Sequence, residues 1–203
     1  MARRTKEEAQ ETRKRILDAA LHVFAAKGYS RATFVDVARR IGMTKGAVYW
    51  HFENKQALLA ALIEYMHGRE QALLEADLPD TASLNGLKDY LVAHMRIATR
   101  DEEFRKFSMF ILLQMEWSAD MITAVREELM KFRAEPFEEL SGILAQAQRR
   151  GEVRNGSDIK AAKGMLTGVW LGLLTAHLQG MLSADPVEAA EVAFTALIDS
   201  LRA

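Results

Sequence analysis

The sequence has no cysteine, only three prolines among 203 residues, and no convincing run of apolar and polar residues alternating as in a strand. Without cysteine there can be no disulfide, no thiolate nucleophile and no cysteine-ligated zinc, a composition that fits a reducing cytoplasm. Catalytic signatures are missing too. There is no glycine loop to cradle phosphate, no His-Glu-x-x-His and no Ser-His-Asp setting. Five histidines lie scattered without the spacing of metal ligands. The expectation is a chain with no catalytic residue, no metal and no cofactor, and hence not an enzyme. The basic N-terminus leads straight into charged residues with no apolar h-region, so no signal peptide is expected and the localisation is read as cytoplasmic.

What is present is a globular chain, 49% hydrophobic and long enough to bury a core. Its net charge of −1 hides a division. Up to Lys55 twelve basic residues face six acidic ones, so this part carries +6 and the remainder −7. A basic module on an acidic body is the pattern of a phosphate-facing domain joined to one that does not bind DNA. From Gly164 to Ala184 no residue is charged, and roughly 20 such residues can span a bilayer. His177, Gln179, two threonines and four glycines make it a poor membrane segment, so the reading is a helix buried by protein and no membrane partner.

The periodicity is helical throughout. Ile16, Leu17, Ala20, Leu21 and Phe24 mark a first helix ended by Gly28. Phe34, Val37, Ala38 and Ile41 line one face of a second, with Thr33 as N-cap and Asp36 as a short-armed capping-box partner. Gly42 breaks the pattern and Thr44 can cap a third helix from Lys45. Helix, glycine turn and helix make a helix-turn-helix, whose second helix enters the DNA major groove. Asn54 caps a fourth helix, which runs to about Ala76. Two more are expected over 83–99 and 102–117. A long helix follows Asp120, interrupted or kinked near Pro136. Another spans 158–182, and the last starts at Pro186. The fold class is all-α, with about nine helices. The domains are a DNA-binding module over 1–55 and a ligand-binding and dimerisation domain over 56–203, with the fourth helix as a rigid strut.

Gly28-Tyr29, Thr33, Asp36-Val37-Ala38, Gly42, Thr44 to Tyr49, His51-Phe52 and Lys55 stand in the order and spacing of the TetR family signature. The opening MARRTKEEAQETRKRILDAA and the segment KGAVYWHFENK resemble the AcrR and TtgR branch, repressors of multidrug efflux pumps. The likeness is dense over the first quarter of the chain and loose beyond it. It implies an operator-binding homodimer, with DNA contacts from Thr44, Lys45, Gly46, Tyr49, Trp50, His51 and Lys55; Thr33 joins them as a DNA-binding candidate. Lys45 can reach guanine O6 and N7, Gly46 permits close approach, and Lys55 brings a cation to a helix N-terminus that attracts phosphate. Arg3 and Arg4 are read as a basic arm. Val35 departs from the pattern, standing where relatives often carry a polar residue.

In the body, FRKFSMFILLQMEW (104–117) packs aromatic and flexible apolar residues around Gln114 and Glu116. Most of it reads as core. A pocket for a small apolar or aromatic effector is expected from Phe107, Phe110, Gln114 and Trp117, with Phe137 and Trp170 opposite. The acidic residue of drug-binding relatives near the end of the fourth helix is not evident, His67 standing about there. Gly164, Gly168 and Gly172 recur every four residues, so they share a helix face suited to close helix approach. The resemblance makes that face part of a dimer interface. The function expected is a ligand-responsive repressor on an inverted-repeat operator, controlling an efflux pump or similar transport genes. Regulation of a metabolic or stress operon remains open, as does a helical DNA-binding protein without an effector.

Overall fold

The computed structural model describes residues 6–77, 83–132 and 138–203. Among these residues the chain forms ten α-helices and no strand, apart from an isolated bridge between Val153 and Arg202. The helices are α1 (Lys6–Lys27), α2 (Phe34–Arg40), α3 (Lys45–His51), α4 (Lys55–Asp77) and α5 (Leu84–Arg100). There follow α6 (Glu102–Met109), α7 (Ala119–Phe132), α8 (Glu138–Arg149), α9 (Ile159–Leu178) and α10 (Pro186–Leu201). The number exceeds nine because the long helix expected after Asp120 is described as two, α7 and α8. Phe137 and Pro136, with Arg3 and Arg4, lie outside the described residues.

The chain divides into two compact units. The first comprises Met1–His67 and Lys106–Ala134, the second Gly68–Arg105 and Glu135–Ala203, so α4 belongs to both and passes from one to the other after His67. In the first unit α1 buries Ile16, Leu17, Ala20, Leu21 and Phe24, α2 contributes Phe34, Val37 and Ala38, and α4 adds Leu58, Leu59 and Leu62. In the second unit α5 packs against α8, α9 and α10. The buried residues of α10, among them Ala190, Phe194 and Ile198, recur at helical spacing. The end of the chain is tied down: the Arg154 amide donates to the Leu201 carbonyl at 2.9 Å and the Ala203 amide to the Glu152 carbonyl at 3.0 Å.

Two boundaries differ from the sequence reading. The helix expected over 102–117 stays α-helical only to Met109, widens to a π-helical segment over Phe110–Gln114 and turns extended at Met115. The wider turn accompanies the seating of Phe110, fully buried, on the ring of Phe24 at 5.4 Å between centroids. The helix expected to reach Leu182 stops at Leu178. Gly180 has φ +71°, and the amides of Gly180 and Met181 fold back onto the carbonyls of His177 and Ala176 at 2.9 and 2.8 Å. This is the paired C-terminal closure that a left-handed glycine permits. No helix among the described residues is long and apolar enough to cross a membrane.

Candidate nucleic-acid interface

Short-range chemistry builds the helix-turn-helix. Thr33 Oγ1 accepts from the Asp36 amide at 3.2 Å and donates to Asp36 Oδ2 at 2.8 Å, while the Thr33 amide also donates to Oδ2 at 3.0 Å. These bonds satisfy N–H groups that the first turn of α2 leaves without helical partners. Gly42, at φ +67°, makes the turn in a conformation L side chains rarely adopt. Arg15 of α1 holds the end of α2 by donating to the Ile41 carbonyl at 3.2 Å. Thr44 Oγ1 then accepts from the Ala47 amide at 3.2 Å and starts α3. Val48 points into the core at 0% exposure and Phe52 at 4%. Burying side chains of this size stabilises by ~1.5–3 kcal/mol each. Arg13 lies over the Phe52 ring at 5.3 Å.

Asp36 also receives Lys27 Nζ at 2.5 Å. The hydrogen bonds from Lys27 and Thr33 hold its carboxyl at about 2, against an ordinary 3.8. A carboxyl depressed in the folded state stabilises it above about pH 4, and that contribution disappears as pH falls towards about 2. Asp36→Asn should therefore be less stable than the wild type at neutral pH, with the difference closing over that acid range. Thermal melts at stepped pH check this; a difference constant from neutral pH down to about pH 2 would contradict it.

With Val48 inward, α3 turns Lys45, Gly46, Tyr49 and Trp50 to solvent, as is Thr44 at its cap. Trp50 is 70% exposed and Tyr49 49%, unusual for rings with a core beside them. Neither is loose: Tyr49 leans on Phe34 at 4.7 Å between centroids, and Trp50 meets the His51 ring edge-on at 4.6 Å. Lys45 Nζ sits 5.2 Å over the Tyr49 ring. Beside Gly46, an added Cβ would meet only Thr44 Oγ1, at 3.8 Å, so nothing within the protein requires glycine there. His51 is half-buried, and Thr33 is exposed but engaged in its cap. Val35 is 41% exposed and brings no polar group to the surface.

The Lys55 side chain folds back onto the turn that follows α1. Its ammonium donates to the carbonyls of Tyr29, Ser30 and Ala32 at 2.8, 3.2 and 3.2 Å. It also lies 4.4 Å over the Tyr29 ring. Burial pushes the Lys55 ammonium down from its ordinary value and the Tyr29 phenol up to about 12. The helix N-terminus that Lys55 opens is capped by Asn54 Oδ1, which accepts from the Ala57 amide at 2.8 Å.

The expected pocket residues take several places in the fold. Phe110 is core, stacked on Phe24. Phe107 is half-buried. Trp117 is partly exposed, its indole N–H donating to the Ile111 carbonyl at 3.1 Å. Gln114 is exposed and, with Glu116 and residues 25–31, lines an open recess of about 400 Å³. All four belong to the first unit and Trp170 to the second, while Phe137 lies outside the described residues. Gly164, Gly168 and Gly172 are all exposed, and an added Cβ at any of them would meet no described atom within 4 Å. The buried residues of α9 are Ala162, Leu166, Trp170 and Leu174. At about 100° per residue the glycines, two positions on, face away from their unit's core. Close packing within that unit does not explain them.

Sequence reasoning missed a polar cluster in the second unit. His94 is buried at 3% exposure, and its Nδ1 lies 2.8 Å from Glu70 Oε1. The Tyr90 ring packs edge-on against it at 4.3 Å between centroids, with Trp170 at 6.3 Å. Gln71 Nε2 donates to the Tyr90 hydroxyl at 3.4 Å. The signal was an acidic residue on α4 one turn from the expected place, at Glu70.

Comparison with known proteins follows the same lines. Residues 16–62 match the family described as bacterial regulatory proteins, tetR family. The chain is 32% identical to the HTH-type transcriptional regulator SrpR of Pseudomonas putida, over 91% of this chain and 82% of that one. It is 32% identical to the HTH-type transcriptional regulator TtgR of the same species, over 80% and 78%. Among solved structures it superposes on SmeT, the repressor of the Stenotrophomonas maltophilia multidrug efflux pump SmeDEF. The TM-score is 0.72 and the identity 30%, covering 96% of this chain and 92% of that one. These relatives are transcriptional regulators and not enzymes, and with a capped helix-turn-helix under the matched residues the chain belongs to the TetR family, as a transcriptional repressor of the AcrR and TtgR type.

Proposed function

We propose that the chain acts as a homodimer on an inverted-repeat operator, reads it with α3, and is released by a small apolar or aromatic effector to derepress efflux or similar transport genes. The observation that carries this reading is the outward face of α3: Lys45, Gly46, Tyr49 and Trp50 exposed on a helix whose other side is locked by Val48. A cation and two amphipathic rings with no task in the core are what base edges, thymine methyls and phosphates would engage. Footprinting on the promoter region of an adjacent transport operon tests it. Protection of two half-sites about one helical turn apart or somewhat more is expected. A single asymmetric site occupied by a monomer would contradict it.

Support for the dimer comes from the outward face of α9, with Gly164, Gly168 and Gly172 beside exposed Met165 and Leu171, and from Val192 on α10, 73% exposed. Small residues allow two helices to approach closely, and apolar neighbours exposed beside them favour burial against a partner. Of the expected effector residues, Trp170 is the one this reading builds on, with neighbours the sequence did not single out. Glu70, Tyr90 and His94 supply hydrogen-bonding groups beside an indole, the mix of apolar walls and few polar groups that a ligand site needs.

Effector action requires differential affinity, since a compound that binds both conformations equally shifts nothing. In a Trp50→Phe variant, Trp117 and Trp170 remain to report binding. A planar aromatic compound that releases operator should change this fluorescence over the same concentration range. Operator DNA should weaken binding of the compound by the same factor, about 5–150-fold for couplings of 1–3 kcal/mol. Calorimetry with and without operator measures that factor. Binding that leaves operator affinity unchanged would remove the effector from the mechanism.

A further inference from the structure

We propose that the recess at the end of α1, lined by residues 25–31 with Gln114 and Glu116, is a binding site for a free amino acid. Arg31 and Tyr29 take its carboxylate, and Glu116 with the last carbonyls of α1 takes its ammonium. All of these walls belong to the first unit, whereas Trp170 belongs to the second. The site therefore goes beyond the effector reading above and does not depend on it.

The recess holds about 400 Å³, within the range of small-molecule sites. Its walls carry hydrogen-bonding capacity that the fold leaves unused. Tyr29 is 5% exposed, and its hydroxyl is buried with no hydrogen-bond partner among the described residues. That state is costly, because the hydroxyl has given up water and gained nothing in return. Burial also pushes the phenol up to about 12, so at neutral pH it keeps its proton and can donate. Arg31 is the second donor. Its Nε is engaged with the Lys27 carbonyl at 3.0 Å, and its terminal nitrogens keep their N–H groups. A carboxylate is the acceptor that suits a guanidinium and a phenol together.

Acceptors stand beside these donors. The last carbonyls of a helix have no partner within it. In α1 the Phe24 carbonyl receives the Gly28 amide at 2.8 Å and the Lys27 carbonyl receives Arg31. No donor among the described residues reaches the carbonyls of Ala25 and Ala26, which both line the recess. A helix C-terminus favours a cation, and the Glu116 carboxylate adds a full negative charge. Gln114, at the end of the π-helical segment, brings an amide that can donate or accept. Lys27 is already committed to Asp36, at 2.5 Å. Arg31 and Glu116 form no ion pair with each other among the described residues. An anion would set its charge beside Glu116, and a cation would set its charge beside Arg31. A zwitterion answers both.

NMR titrations of the full chain with each common L-amino acid test the site. At least one should saturate with a Kd between about 1 μM and 1 mM, moving the amide signals of residues 25–31 and 114–116. The matching amine, which lacks the carboxylate, should bind at least about tenfold more weakly, and so should the matching acid, which lacks the ammonium. Tyr29→Phe keeps the ring and deletes an unpartnered hydroxyl. It should melt no lower than the wild type yet bind at least about tenfold more weakly. Glu116→Gln, at an exposed position, should show the same loss of binding and decides the matter if Tyr29→Phe fails to fold. No saturation by any amino acid below about 10 mM would overturn the proposal. So would an amine or an acid that binds as tightly as its parent, binding that both substitutions leave unchanged, or signals that move only elsewhere in the chain.

Discussion

A leucine at Gly168 is expected to leave each protomer folded, convert the dimer to monomers and lower operator affinity by ~10²–10⁴-fold, the advantage that linking two binding heads confers. The two halves of this expectation have opposite signs, which makes the experiment informative. Within the protomer the new side chain meets no described atom at its Cβ, and replacing glycine by leucine in a helix interior favours the helix by ~0.8–1 kcal/mol. Across the proposed two-fold axis the same side chain would stand in the middle of the glycine stripe, on the helix face opposite Leu166 and Trp170. Two facing leucines there would force apart helices that glycines let approach. Light scattering gives the oligomeric state, circular dichroism the integrity of the helices, and a titration on operator DNA the affinity. An intact dimer with wild-type operator affinity would remove the glycine stripe from the interface. A milder Gly168→Ala change should retain the dimer and shift association only slightly.

The features that the sequence made legible are those whose partners lie within a few residues. Thr33 and Asp36 form their capping box three residues apart, and Thr44 caps α3 over the same distance. The break at Gly42 needs only a left-handed backbone, which glycine adopts at little cost. Val48 and Phe52 are readable as core because they stand four residues apart, on one stripe at the end of a short helix. The end of α9 was misjudged for the same local reason. The uncharged run continues past Gly180, and hydrophobicity outweighed the glycine that closes the helix.

What stayed hidden depends on chain segments that meet only after folding. Lys55 reads as a surface cation from its neighbours, and only the return of the turn 26 residues earlier fills its donors. Glu70 and His94 are 24 residues apart, and their pairing requires α4 and α5 to be side by side in the second unit. Phe110 carries the helical spacing of a pocket residue, yet a widened turn sets it flat on Phe24. Aromatic content alone does not say which ring walls a pocket and which fills a core, because both uses bury the same apolar surface. The glycine stripe shows the converse. Its periodicity was visible, but its direction, away from the unit's core, needed α9 to be placed.

Lys45→Ala is expected to weaken operator binding by about 1–3 kcal/mol per half-site and to relax the preference at one base step, with a much smaller loss on scrambled DNA. Lys45 opens α3 directly after the Thr44 cap, and in helix-turn-helix proteins the N-terminal residues of the recognition helix reach the base edges. Its side chain is exposed and lies over Tyr49, whose ring rests on Phe34, so the cation is oriented before DNA arrives. Orientation in advance reduces the side-chain entropy lost on binding. Two half-sites double the effect in a symmetric dimer, giving about 2–6 kcal/mol for the whole operator. Lys45→Arg should restore much of the affinity on an operator with guanine at the contacted step, since a guanidinium can address O6 and N7 together, and little on an operator lacking it. Gel-shift titrations on matched, single-step-mutated and scrambled DNA supply the comparison. Equal losses on all three would make Lys45 a general phosphate contact. Sequence reading would then fall to Tyr49, Trp50 and the backbone beside Gly46, where a close approach needs no side chain at all.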